Sequence, residues 1–118
     1  MTILSGKVWG TSRLLFSANN VEIHRIAVAQ YGICSKHRHR HKSNAFYVES
    51  GRLAIDVWKH DYPLVDRTVL EPGDYTVIAP GEFHRFQALE DAVAYEIYFV
   101  ELDSADIERE TVGMKASA

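Results

Sequence analysis

The stretch GICSKHRHRHKSNAFYVESG, residues 32–51, decides how this chain is read. Its first half sets three histidines, His37, His39 and His41, among four cations, Lys36, Arg38, Arg40 and Lys42. Its second half, Ala45 to Glu49, has the aromatic and β-branched residues that strands prefer, and Ser50-Gly51 closes it as a turn. In an extended chain, side chains two apart share a face. His37 and His39 then project together, and Lys36, Arg38 and Arg40 point the other way. Lys42 shares parity with Asn44. Read alone, residues 36–42 also suit an exposed, solvated turn.

Outward from this stretch the same short pattern repeats. Arg52 to Trp58 alternates, with Leu53, Ile55 and Val57 on one face. Val65 to Leu70 is closed by Pro72-Gly73, and Tyr75 to Ala79 by Pro80-Gly81. Phe83 to Leu89 and Ala92 to Leu102 follow, while Leu14 to Phe16 and Val21 to Gln30 precede. Many short runs punctuated by turn residues predict an all-β antiparallel sandwich or small barrel. One stretch, Ser104 to Glu110, predicts a short helical turn, with Ser104 as N-cap and Asp106 in its first turn. The expected organisation is one domain over residues 1–118, with its core at about 20–102.

Composition narrows the function. Apolar residues make up 47% and charged residues 25% of 118, an ordinary globular balance. Thirteen cations against sixteen acids give a net charge of −3, so no global basic field invites nucleic acid. The one cysteine, Cys34, suits a reducing cytoplasm. No apolar run reaches the about 18–20 residues a membrane span needs, and the N-terminus lacks a signal-peptide pattern.

Two imidazoles on one strand need a further metal ligand from another. His84 follows Pro80-Gly81 at the start of a strand and is the candidate. His24 and His60 have no such neighbours and read as surface or structural residues.

Residues 32–51 resemble the first motif of the cupin superfamily: His37-x-His39, four residues, Asn44 where the family usually has Glu, six residues, Gly51. Residues 73–88 resemble the second motif, with Pro80-Gly81, two residues, then His84. The resemblance implies a single jelly-roll barrel with a metal inside it. A narrower resemblance is to the cupin domain of type II mannose-6-phosphate isomerases and their small relatives. Lys7-Val8-Trp9-Gly10 is similar to that family's Lys-Pro-Trp-Gly. Ser35-x-His37-x-His39-x-x-Lys42-x-Asn44 follows its Ser-x-Gln-x-His-x-x-Arg-x-Glu. Asp106-Ile107-Glu108-Arg109 matches its Asp-Ile-x-Arg.

The departures from that pattern are His37 for Gln and Asn44 for Glu. The resemblance puts the metal on His37, His39 and His84, with Asn44 as a weaker candidate. His41 shares parity with His39 and is a further weak candidate if the strand continues. A neutral donor set leaves the ion a stronger Lewis acid. Imidazole suits zinc, iron, nickel or copper, and manganese is a further possibility for the site. Lys42, Phe46 and Phe86 are candidate substrate-binding residues, Lys42 for a phosphate and the two rings as cavity wall. Glu96 and Tyr98 share a face of the last strand and form a candidate acid–base pair. A buried Glu needs a partner, so outward placement is expected for it. Arg85 and Glu49 are expected outside.

Three functions remain open. One is a metal-dependent isomerase or epimerase acting on a sugar phosphate. Another is a three-His Fe(II) dioxygenase, and the third a non-catalytic carbohydrate-binding or regulatory cupin. The superfamily implies a homodimer, for which Val8, Trp9, Leu14, Leu15 and Phe16 offer a surface.

Overall fold

The computed structural model describes residues 3–59, 64–100 and 103–116. Nine strands follow in order: β1 (Ile3–Lys7), β2 (Gly10–Ala18), β3 (Val21–Val28), β4 (Ser43–Ser50), β5 (Leu53–Trp58), β6 (Val65–Leu70), β7 (Tyr75–Ile78), β8 (Phe83–Ala88) and β9 (Ala92–Phe99). They form two antiparallel sheets, β1-β2-β3-β9-β4-β7 and β6-β5-β8. Inward positions alternate as the pleat requires. Ile26 and Val28 meet Phe46, Val48, Ala92 and Ala94 on the large sheet, and Leu53, Ile55, Phe86 and Ala88 face them from the small one. Burying each large apolar side chain there contributes roughly 1.5–3 kcal/mol.

The β4–β5 turn shows why the motif ends in glycine. Gly51 has φ 77°, and a Cβ built on it would lie 2.1 Å from the Asp91 carbonyl oxygen. Only glycine fits a left-handed position this close to another backbone. Just before it the β4–β9 register shifts between Val48 and Ser50, and Glu49 points outward to Arg25 and Tyr95.

Two expectations change. The run at Leu14 to Phe16 is the middle of a longer β2, and β1 precedes it. This hairpin gains its order from pairing to β3 rather than from burial, and a register shift between Leu14 and Phe16 breaks its alternation. The helical turn at Ser104 to Glu110 is absent, and no helix occurs among the described residues. The segment is exposed throughout and has no face to bury, and tertiary packing is what stabilises most short helices. Asp103, not Ser104, caps the turn there, its Oδ1 accepting the Ala105 N–H at 3.0 Å. His60 and the end of the last run at Glu101-Leu102 lie outside the described residues.

Candidate metal centre

Residues 29–42 form no regular strand, yet they run extended along the open edge of β8. His37 and His84 exchange both backbone bonds, at 3.0 and 2.8 Å, and the Cys34 N–H reaches the Phe86 carbonyl at 3.2 Å. Period-2 reasoning therefore holds without a strand. His37 and His39 both turn toward His84, which β8 aims inward at 1% exposure. The available nitrogens of the three rings all lie within 4.8 Å of one another. Their ring centres are 4.6, 5.1 and 5.4 Å apart. Asn44, fully buried on β4, completes the group.

The ring nitrogens are already allotted. His37 Nδ1–H donates to the Ser35 carbonyl at 2.8 Å and His84 Nδ1–H to the Glu82 carbonyl at 2.9 Å. A backbone acceptor on Nδ1 leaves Nε2 as a lone-pair donor, the arrangement that orients metal-binding histidines. Burial, then the charge of Lys42, pushes His39 down to about 4. Burial lowers His84 as well. Both are neutral at physiological pH, the form that binds a metal.

Two observations test the fit of a cation. His39 Nε2 is buried and meets no hydrogen-bond partner. His84 Nε2 lies 3.0 Å from Asn44 Oδ1. With the His84 proton on Nδ1, these are two acceptors with no hydrogen between them. Turning the amide would supply one from Nδ2 but would cost the Asn44 bond to the Ala45 carbonyl at 3.3 Å. Two donors held by one ion at right angles stand about 3 Å apart. The donor set suits a divalent cation without selecting its identity.

Beside the histidines opens a cleft of about 510 Å³, lined by His37, Trp9, Phe86, His24, Glu96 and Tyr98 among others. Glu96 faces inward at 8% exposure, against the outward placement expected from burial cost alone. The Tyr98 hydroxyl, two residues on, is its hydrogen-bonding partner, and His24 is directly opposite across the β3–β9 pair. Burial pushes the Glu96 carboxyl up, and Tyr98 pulls it the other way. Burial and the Glu96 charge push the Tyr98 phenol up.

The other candidates separate. Phe86 lines the cleft and meets Trp9 edge-on at 4.9 Å. Phe46 is buried in the core beneath His84 and Phe86. Lys42 stands 3.8 Å above the Tyr98 ring, on a second pocket of about 230 Å³ that shares Tyr98 with the cleft. His41 is exposed, outside the three-histidine group. Arg85 lies outside, as expected, bonded to Asp56 at 3.1 Å.

Lys7, Trp9, His24 and Cys34 line the cleft and were not assigned to it by pattern. His24 donates from Nε2 to Glu22 at 2.9 Å and sets its ring edge-on to Tyr98. Only the β3–β9 register reveals its place. Burial pushes the Cys34 thiol up to about 11, so it stays protonated.

Two antiparallel sheets with three imidazoles and an amide gathered between them define a jelly-roll barrel with a candidate three-histidine metal site. Residues 24–101, well over half of the chain, match the family model of the Cupin domain, and the chain belongs to that family. No curated protein matches it. Among solved structures, KdgF from Halomonas sp. is 16% identical with a TM-score of 0.71, over 84% of this chain and 86% of that one. An RmlC-like cupin from Shewanella frigidimarina is 18% identical with a TM-score of 0.69, over 85% of each chain. Oxalate decarboxylase from Bacillus subtilis, a protein with Mn(II) centres, is 17% identical with a TM-score of 0.74, over 90% of this chain. This chain covers 29% of that one. At such identities the likeness is one of fold.

Proposed function

We propose that this cupin holds one divalent ion, zinc, iron, nickel or manganese, on His37, His39 and His84 with Asn44 Oδ1 as fourth donor. We also propose that it moves a proton on a small carbonyl ligand, as an isomerase or epimerase does. The observation that carries the second part is Glu96, a buried carboxyl facing the cleft beside the histidines. The resemblance to type II mannose-6-phosphate isomerases supports a sugar phosphate as ligand. A bound divalent ion supplies Lewis acidity toward the carbonyl oxygen. Glu96 takes the proton from the neighbouring carbon and returns it. Tyr98 holds the carboxyl in place by hydrogen bonding. Trp9 and Phe86 wall off water, which strengthens the electrostatics within.

Incubating the metal-loaded protein with mannose 6-phosphate or fructose 6-phosphate in heavy water, without dioxygen, tests this reading. Deuterium enters the carbon next to the carbonyl in the unaltered protein and not in Glu96→Gln, which keeps its metal. Equal incorporation in both, or none in either, overturns it.

A second reading, a three-His Fe(II) dioxygenase, is favoured by the lack of any carboxylate among the donors. Dioxygen uptake by the iron form would select it. Tight carbohydrate binding with neither reaction would leave a binding cupin.

The protein is further proposed to form a homodimer. Phe16, Ile23, Ile97, Ala45 and Val77 pair strand by strand into one apolar row on the outer face of the large sheet. Phe16 is 49% and Val77 48% exposed. Of the N-terminal residues first considered, Trp9 turns to the cleft and Phe16 to this face.

A further inference from the structure

The donor set contains no carboxylate. Three neutral imidazoles and an amide leave a divalent ion with both of its charges. The cleft does little to cancel them. Glu22 is held by His24, which leaves Glu96 as the one other carboxylate on the polar inner rows of the β3–β9 pair. Lys42, on the far side of Tyr98, adds positive field at His39. Even with Glu96 ionised, the centre remains positive toward whatever enters.

A second cation opens on the same cleft. Lys7, at the end of β1, lines it together with Ser12, Trp9, His37 and Glu96. Lys42 does not, because its pocket is the separate one. The same lining carries the apolar side chains of Trp9, Ile33 and Phe86. The cleft thus combines a positive centre, apolar wall residues and a second cationic residue, Lys7, in its lining.

We infer that the cleft takes a small acid with two anionic ends, whose 2-oxo or 2-hydroxy carboxylate head meets the metal and whose second anionic group meets Lys7. This rests on the metal reading above and not on the sugar-phosphate one, since a sugar phosphate has no carboxylate head. The head brings the negative charge that the missing carboxylate ligand would have supplied. The second group gains a charge-assisted hydrogen bond. Chain length between the two ends sets selectivity.

The test uses the full chain loaded with Co(II), whose absorption bands report ligand exchange at the ion. Three probes are titrated: pyruvate, its neutral methyl ester and 2-oxoglutarate. Pyruvate shifts the bands at least about tenfold more tightly than methyl pyruvate, and 2-oxoglutarate at least about tenfold more tightly than pyruvate, the scale of one charged hydrogen bond. Lys7→Gln, at an exposed strand end, abolishes the second difference and leaves pyruvate affinity unchanged. Asn44→Asp shrinks the first difference, and the methyl ester comparison in the unaltered chain gives that reading without a variant. Equal affinity for pyruvate and its ester overturns the inference, as does a 2-oxoglutarate preference that survives Lys7→Gln. Cobalt bands that persist in His39→Ala would instead bring down the metal reading, and the inference with it.

Discussion

With the His84 proton on Nδ1 and the Asn44 amide set by its bond to Ala45, two lone pairs of Asn44 and His84 stand 3.0 Å apart in a buried interior. A buried polar pair left this way is costly unless a cation or a turned amide resolves it. Replacing Asn44 by Asp puts a negative charge there at almost constant volume. We expect Asn44→Asp to bind divalent metal about tenfold more tightly, as a charged ligand gains on a neutral one. Competition against a chromophoric chelator measures this, and unchanged or weaker binding would mean that the side chain does not ligate. His39→Ala should lower metal content severely and His24→Ala little, which elemental analysis of the two proteins compares directly. Asp56 makes a different residue-scale case. It is buried on the outer side of β5, where Arg67 holds both its oxygens at 2.7 and 3.0 Å and Arg85 reaches Oδ2 at 3.1 Å. The Arg67 hydrogen bonds, and then Arg85, hold its carboxyl below the usual carboxylate range. A depressed folded value contributes stability that is complete above the unfolded value near about 4 and is lost as pH falls through the folded one. Asp56→Asn should therefore cost about 1–3 kcal/mol at pH 7, with both arginines partly exposed. Urea denaturation should show the difference closing below about pH 4.

At the scale of elements, Gly51 sets how β4 passes to β5. Gly51→Ala must push a methyl group into the Asp91 carbonyl from a left-handed backbone position. We expect a loss of about 2–4 kcal/mol, read as a lower urea midpoint, since both the contact and the conformation resist it. The strands were legible where one face is buried: Leu53 and Ile55 alternate into the core as the pattern demanded. They were illegible where pairing alone makes them, as in β1, whose residues are exposed wherever described. The histidine cluster was legible for a related reason. His37 and His39 are two apart in an extended segment, so their direction follows from local geometry. Glu96 and His24 became neighbours only through the β3–β9 register, a long-range fact that no local spacing encodes. Burial cost argued Glu96 outward; of the groups that reverse the argument, Tyr98 is two residues on in the same strand and His24 lies across the β3–β9 pair. Bulges at Leu15 and Glu49 add the other failure, because one extra residue flips every later side chain.

At the scale of the molecule, the outer row from Phe16 to Val77 is the seam proposed for a second copy. Phe16→Asp should convert a dimer to a monomer, visible as a halved mass in light scattering after gel filtration. A monomeric unaltered protein would remove the proposal. The site and the fold also share one segment. Residues 32–37 satisfy the backbone of β8, through Gly32, Cys34 and His37, and the same loop carries two of the three clustered imidazoles. Without that loop β8 would be a bare sheet edge, the kind of template on which chains stack. A bound ion would act as a clasp on this cover, tying His37 and His39 to His84 across more than half of the fold's strands. Chelation would then do more than silence chemistry: it would loosen the guard over an adhesive edge, and turbidity on mild warming should rise first in the stripped protein.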